Sequence, residues 1–287
     1  MSDAPPTIRV ATWNIRAAMG PGEPFPPAWW RHVRRDRLER IAARIVELDA
    51  DIVALQEVAF FTPGGELNDQ PFELSRLTDR HVRYAAVHAF SLIEPETGQA
   101  VGAATWGNAL LTREPVTDGF AVGLPLGGDD EPVEPPGSEM PLAGVTFAAA
   151  PYGTREPRCA IGGVVRTPLG EIAVVNAHLT YAGTGQRGAQ ADALARIAME
   201  LGGPVIVAGD FNAPIEAPTL SALATGFGDA FAAVGIEPGD PRRASSGPNR
   251  IDHLLTRGLR VHDCRVVSEA GDASDHLPVL ATMGSPG

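Results

Sequence analysis

Lysine is missing altogether. Each of the 23 basic residues in this 287-residue chain is an arginine, a bias that reflects genomic base composition more than function, although a planar guanidinium suits bidentate phosphate contacts. Cysteine is nearly missing too. Cys159 and Cys264 lie far apart without C-x-x-C spacing, which argues against a disulfide framework or a zinc knuckle and leaves both as small buried hydrophobes. No stretch approaches the roughly 18 uninterrupted apolar residues of a membrane span, and the opening MSDAPPTIRV lacks the basic-then-apolar order of a secretory signal. Stable membrane insertion is therefore not expected, and the expected location is cytoplasmic. The chain has neither H-E-x-x-H nor any other tight histidine pair, which disfavours a zinc hydrolase. Extended basic tracts are absent, and the formal charge is -12, so affinity for nucleic acid through many neutralised phosphates is disfavoured. A nuclease is not thereby excluded, because carboxylates gathered for a metal add to the acidity and a cation reverses their local sign.

What is present is a hydrophobic content of 44%, normal for a globular protein with a real core. Residues 8–13 alternate and are β-branched, reading as a strand that ends at Asn14. A Gly/Pro-rich loop at 20–27 leads to residues 34–48, where Leu38, Ile41, Ile45 and Leu48 recur at helical spacing. Residues 51–56 form a nearly all-apolar run, as expected for an interior strand, with Glu57 at its end. Strand candidates at 81–88 and 108–112 precede an acidic, Pro/Gly-rich surface excursion at 127–144. Residues 158–166 and 171–177 read as strands joined by a turn at 168–170, with His178 just after the second. Residues 186–201 form the next helix, and 204–208 a buried strand that hands off to Gly209, Asp210, Phe211 and Asn212. Residues 251–256 and 259–267 read as a hairpin, and 278–282 as a last strand directly after Ser274, Asp275 and His276. No repeat or long linker divides the chain. One domain over residues 1–287, with a core at about 8–283, is expected, in which two mixed sheets pack face to face with helices outside.

The polar residues at those strand ends are Asn14, Glu57, His178, Asp210, Asn212, Asp252 and His276, with Asp275 beside the last. They combine oxygen ligands for a hard cation, histidines that titrate near neutrality and amide donors, which is what a water-activating site needs. Mg²⁺ takes only one or two protein carboxylates, a demand that Glu57 with Asp275 meets.

The motifs around these residues resemble, in order, those of the endonuclease/exonuclease/phosphatase superfamily, the deoxyribonuclease-like metal-dependent phosphoesterases. They are Ala11-Thr-Trp-Asn-Ile, Asp51-Ile-Val-Ala-Leu-Gln-Glu-Val, Gly107-Asn-Ala-Leu-Leu-Thr, Val175-Asn-Ala-His-Leu, Gly209-Asp-Phe-Asn, Arg250-Ile-Asp-His and Ser274-Asp-His-Leu-Pro-Val. Glu156-Pro-Arg158, and Arg187 with Gln190, resemble family positions more weakly. The resemblance implies an α/β (α+β) four-layer α-β-β-α sandwich, one or two Mg²⁺ or Mn²⁺ ions, and in-line attack of water at phosphorus. By the same resemblance Glu57 is the principal metal ligand, with Asn14 and Asp275 completing the metal's surroundings. Asp210 and Asn212 position the attacking water or a second cation, and Asn212 also donates to the phosphate. His276, oriented by Asp252, is the base or the phosphate-contacting cation. His178 binds a non-bridging oxygen, and Arg158 contacts the phosphate.

Taken singly, each of these residues has a plainer reading. Asn14, Asp210 and Asp252 are turn formers, Glu57 a solvated carboxylate, and His178 and His276 satisfied structural histidines. Independent turn formers have no reason to reproduce one family's order. His253 follows Asp252 on a strand and should point away from the site. Arg34, Arg35, Arg37, Arg40 and Arg44 form a basic helix face, read as a solvated face before a substrate-steering one. Trp29 and Trp30 should pack against the helix rather than stack on a base or a lipid chain. The leading functional expectation is a phosphomonoesterase or phosphodiesterase for a phosphorylated small molecule or lipid headgroup. A nuclease acting on DNA or RNA is the second. An inactive binding module is third, disfavoured by the intact Glu57, Asp210, Asn212, Asp252 and His276. Specificity should reside in loops 17–32, 60–70, 124–157 and 238–249, and the default assembly is a monomer.

Overall fold

The structure, a computed structural model, describes residues 5–22, 28–126, 157–181 and 183–286. The acidic excursion at 127–144, most of the rim loop at 124–157 with Glu156, and part of the loop at 20–27 lie outside the described residues. The first half contains β1 (Thr7–Asn14), α1 (Arg35–Leu48), β2 (Ile52–Phe61), β3 (Asn68–Asp69), α2 (Gln70–Thr78), β4 (His81–Ile93), β5 (Ala100–Thr112) and β6 (Val116–Leu124). The second half continues with β7 (Arg158–Thr167), β8 (Gly170–His178), α3 (Thr184–Glu200), β9 (Val205–Asp210), α4 (Ser221–Gly226), β10 (Gly228–Asp229) and α5 (Ala230–Ala233). It closes with β11 (Asp252–Arg257), β12 (Arg260–Val266) and β13 (Val279–Gly284).

The strands form two mixed sheets. A 7-stranded sheet runs β12-β13-β1-β2-β5-β4, with β3 attached to β2, and a 6-stranded sheet runs β10-β11-β9-β8-β7-β6. Each sheet holds one parallel pair, β1 with β2 and β8 with β9, and its other pairs are antiparallel. Strand alternation assigns the layers. Ala11, Trp13, Val53 and Leu55 face outward onto Leu38, Ile41 and Ile45 of α1. Their neighbours Val10, Ile52 and Ala54 face inward and meet Val174, Ile206 and Leu254 of the other sheet. Val175, Val207 and Leu255 then turn outward onto Leu194 and Ala198 of α3 and Leu223 of α4. Each sheet is apolar on both faces because each face is covered, giving the expected four layers, α-β-β-α.

Some expectations fail for identifiable reasons. The expected hairpin of 251–256 and 259–267 does not form: β11 pairs with β9 in one sheet, and β12 pairs with β13 in the other. The tight turn at Gly258 (φ +77) crosses between the sheets, so Leu254 and Cys264 share one inter-sheet core. Period-2 alternation identifies strands but not their partners. The strand expected to end at Glu57 runs on to Phe61, and Glu57 sits at a register slip inside it. Neither α2 nor β6 was anticipated. Helix α2 is short but capped, with Asp69 accepting from Phe72 N at 2.9 Å and Pro at an early position. Strand β6 is interrupted by a register shift between Thr117 and Phe120, with Asp118 at φ +46, which breaks its alternation. Trp29 packs on Phe61 and Trp106, with ring centroids at 5.2 and 4.8 Å, and these strand residues replace the helix face expected to receive it. Among the described residues, no helix is long and apolar enough to cross a membrane.

Candidate functional site

Topology gathers the polar residues at one rim. The parallel pair β1 and β2 ends near Asn14 and Glu57, and the parallel pair β8 and β9 ends at His178 and Asp210. Strand β11 runs antiparallel to β9, so it begins at that rim with Asp252. Strand β13 runs antiparallel to β1, so Asp275 and His276, just before it, arrive there too. Register completes the arrangement. His178 pairs with Asp210 and Asp210 with Asp252, which lines the three up across β8, β9 and β11 on one face of the sheet.

The side chains converge. Asn14 Nδ2 donates to Glu57 Oε1 at 2.9 Å and to Asp210 Oδ2 at 3.1 Å, joining the two sheets. His178 Nε2 lies 3.4 Å from Asp210 Oδ2, and its Nδ1 lies 3.9 Å from Glu57 Oε1. His276 Nδ1 is 2.8 Å from Asp252 Oδ2, leaving Nε2 at 3.8 Å from Asp210 Oδ2. Ligand atoms of Asp210, Asp252 and His276 all fall within 4.8 Å of one another, a grouping able to hold a metal ion. Asn212 (φ +51) turns its amide to His178 Nε2 at 3.0 Å and to Leu179 O at 2.8 Å. Asp275 is partly exposed and faces Arg16, with Nε to Oδ2 at 3.5 Å. Arg158 is buried at the start of β7, on the same rim. Gly209 (φ +150) precedes Asp210 because β9 passes tightly against β8: a Cβ there would stand 1.8 Å from Ala177 O.

The family model described as the Endonuclease/Exonuclease/phosphatase family matches residues 11–276. The chain belongs to that family. Its members are hydrolases of phosphoester bonds. A crystal structure of an endonuclease/exonuclease/phosphatase from Beutenbergia cavernae is similar over 98% of this chain and 72% of its own, with a TM-score of 0.68 and 25% identity. The mannosyl-6-phosphatase of Bacteroides thetaiotaomicron shares the fold over 96% of this chain and 99% of its own, with a TM-score of 0.60 and 16% identity. In Vibrio cholerae serotype O1, a UPF0294 protein is 34% identical over 149 residues, 49% of this chain and 50% of its own length. The chain thus spans about half the length of the curated relatives it matches.

Electrostatically, burial comes first in the candidate site of this endonuclease/exonuclease/phosphatase family member, and neighbouring carboxylates add to it. Burial, and then the charge of Asp252, pushes Asp210 up to about 7. Burial also raises Glu57, and Asp275 adds to the shift. For His276 burial works the other way, but the charge and hydrogen bond of Asp252, with the charges of Asp210 and Asp275, outweigh it and raise the imidazole to about 10. The donor set is rich in carboxylate and amide oxygen and contains no thiolate, which suits a hard divalent cation, and the raised carboxylates are those a cation would relieve.

Several residues that the sequence does not single out support the candidate site. Ser245 Oγ donates to Asp252 Oδ2 at 2.6 Å, while its carbonyl accepts from Leu277 N at 2.7 Å, tying both members of the His276–Asp252 pair to one loop. Two residues already inside the family-like motifs join them: Trp13 Nε1 donates to His276 O at 2.8 Å, and Arg187 Nη1 donates to Asn212 O at 2.8 Å. Arg16, Ala17 and Ala18 are all left-handed (φ +46, +46 and +61). Gln70 supports that turn by donating to Ala17 O at 2.7 Å and accepting from Ala59 N at 2.9 Å. The readable signal for Gln70 and Ser245 was weak, since neither interrupts a periodic run. His253 does leave the site as expected, stacking on Phe211 with Nε2 at 2.8 Å from Ala213 O.

Proposed function

We propose that this protein is a divalent-metal-dependent phosphomonoesterase or phosphodiesterase whose substrate is a phosphorylated small molecule or lipid headgroup. The observation that carries the reading is the His178-Asp210-Asp252 row facing Asn14 and Glu57, with His276 bonded to the row's last carboxylate. Glu57 and Asp275, with Asn14, would hold Mg²⁺ or Mn²⁺, and Asp210 is available to a second ion. Such a cation would neutralise the charge that develops on the phosphoryl oxygens. His276, raised to about 10, is an imidazolium at neutral pH, so it serves as a fixed cation presenting Nε2 to a phosphoryl oxygen rather than as the base. Asp210, at about 7 in the cation-free protein, is the group able to accept a proton from the attacking water as the new P–O bond forms and the ester P–O bond breaks. Asn212 and His178 fix the carboxylate's surroundings, and Arg158 adds positive charge beside Glu57.

A small substrate is favoured over a nucleic acid by the ion pairing of the basic face. Arg34 pairs with Asp36, Arg35 with Glu39, Arg40 with Asp272 and Arg44 with Glu47, and Arg37 donates to the Asp272 carbonyl, so among the described residues four of the five arginines of this face are already neutralised by carboxylates. The test is a turnover panel in Mg²⁺ and Mn²⁺ covering sugar phosphates, inositol phosphates, phospholipids, plasmid DNA and RNA. Turnover of a small ester or headgroup with inertness on nucleic acid supports the reading, and preferential cleavage of nucleic acid replaces it with a nuclease.

A further inference from the structure

Glu57 reaches the site against the alternation of its own strand. Gln56 points between the sheets, where its Nε2 meets Thr12 Oγ1 at 3.1 Å, so an unbroken β2 would send Glu57 to the opposite face, toward α1. The register slips instead. Leu55 pairs with Ala109 and Val58 with Gly107, so Gln56 and Glu57 together oppose the single residue Asn108, and Glu57 takes φ +55. A bulge re-aims a side chain at the cost of ladder hydrogen bonds, and a left-handed glutamate is a conformation that its surroundings must hold. Asn176, fully buried on β8 of the other sheet, meets both needs. Its Nδ2 donates to Leu55 O at 2.8 Å and to Ala109 O at 2.9 Å, the carbonyls of the last pair before the slip. Its Oδ1 accepts from Gln56 Nε2 at 2.7 Å.

We infer that Asn176, with Gln56, is a positioning pair that holds the bulge and thereby aims the Glu57 carboxylate. This role rests on the proposed cation site. The pair acts through Glu57 and touches no reacting atom. His178 lies two residues beyond Asn176 on the same face of β8, so one strand both props Glu57 from below and places an imidazole nitrogen 3.9 Å from its carboxylate.

The experiment measures Mn²⁺ binding by calorimetry, together with backbone hydrogen exchange at residues 56–58, on the full chain. Wild type is compared with Asn176→Ala, with Gln56→Met, with Glu57→Gln, and with Thr256→Val. Thr256 is a buried control at the far end of β11 that donates to Val205 O at 3.0 Å. Glu57→Gln should abolish binding. Asn176→Ala should weaken it about tenfold or more, the range for residues that orient a metal ligand, and speed exchange at Glu57 and Val58. Gln56→Met should do the same to a smaller extent, and it carries the test alone if Asn176→Ala does not fold. Thr256→Val, whatever its effect on the melting temperature, should bind Mn²⁺ as wild type does. Wild-type affinity and exchange in both Asn176→Ala and Gln56→Met, beside lost binding in Glu57→Gln, would overturn the positioning role alone. Undiminished binding in Glu57→Gln would instead remove the cation reading; exchange at Glu57 then decides the clamp, with faster exchange upholding it and unchanged exchange overturning it.

Discussion

His276 Nδ1 and Asp252 Oδ2, 2.8 Å apart, join side chains from the two sheets: Asp252 opens β11 in one, and His276 precedes β13 in the other. The bond needs the sandwich to be closed, so it reports on the integrity of the site as well as on its chemistry.

Burial lowers the His276 imidazole, and the charge and hydrogen bond of Asp252 lead the contributions that raise it to about 10, with Asp210 and Asp275 adding to them. Asp252→Asn should therefore move its titration down toward the ordinary 6.5, read by NMR of the ring proton. Because the folded-state value is raised, the stability that this pair contributes is fully present below about 6.5 and disappears as pH rises through about 10. An unchanged titration in the variant would show that Asp252 is not the cause.

Removing the imidazole tests its role directly. His276→Ala should lower turnover of bis-p-nitrophenyl phosphate by about 10²- to 10³-fold, the range for losing one electrostatic contact to the developing charge, with an unchanged fold by circular dichroism. Undiminished turnover would refute the assignment.

Cation binding should depend on pH through Asp210. Its carboxyl is raised to about 7 by burial and by Asp252, so the cation-free folded state keeps a proton that the unfolded chain releases near 3.8. This group's contribution to stability is greatest at the acidic end and declines as pH rises through about 7. A bound cation relieves that repulsion. The melting-temperature gain from Mg²⁺ should accordingly be larger at pH 8 than at pH 6, and an equal gain at both would count against Asp210 being in the cation's field.

Gly209→Ala should destabilise the protein by more than about 2 kcal/mol, since the new methyl would meet Ala177 O in the backbone of β8, which has no side chain to move aside. Denaturant unfolding measures it, and a change under about 0.5 kcal/mol would contradict the tight β8–β9 approach.

Replacing Arg34, Arg35 and Arg44 together by Gln should leave kcat/KM for a small phosphate ester within about twofold, because exposed ion pairs of this kind contribute little. A salt-dependent loss of kcat/KM would instead assign that face to substrate steering.

Much of this architecture was readable in the residues. Asn14, His178, Asp210 and Asp252 fall at the ends of strands whose apolar, β-branched runs are plain, so their common rim follows once the strands are stacked. Glu57 reads along the chain as a strand end, whereas a bulge inside β2 places it at the rim; a bulge leaves no period of its own, and the φ of +55 is a tertiary outcome. Asn176 and Gln56 were visible as polar residues inside apolar runs, but hydrogen bonding across two sheets has no signature along one strand. Strands β11 and β12 were readable as strands and misleading as a hairpin, since their partners β9 and β13 are remote in sequence. The left-handed turn at Arg16 to Ala18 contains no glycine and is held by Gln70 and Arg34, residues of later segments.

The central claim is that Glu57 and its neighbours hold a divalent cation required for phosphate ester hydrolysis, and the most direct test is hydrolysis of bis-p-nitrophenyl phosphate by EDTA-stripped protein titrated with Mg²⁺ or Mn²⁺. The account predicts no turnover in the stripped protein, saturable recovery in the wild type and no recovery in Glu57→Gln. Full activity without added cation, or equal recovery in the variant, would contradict it.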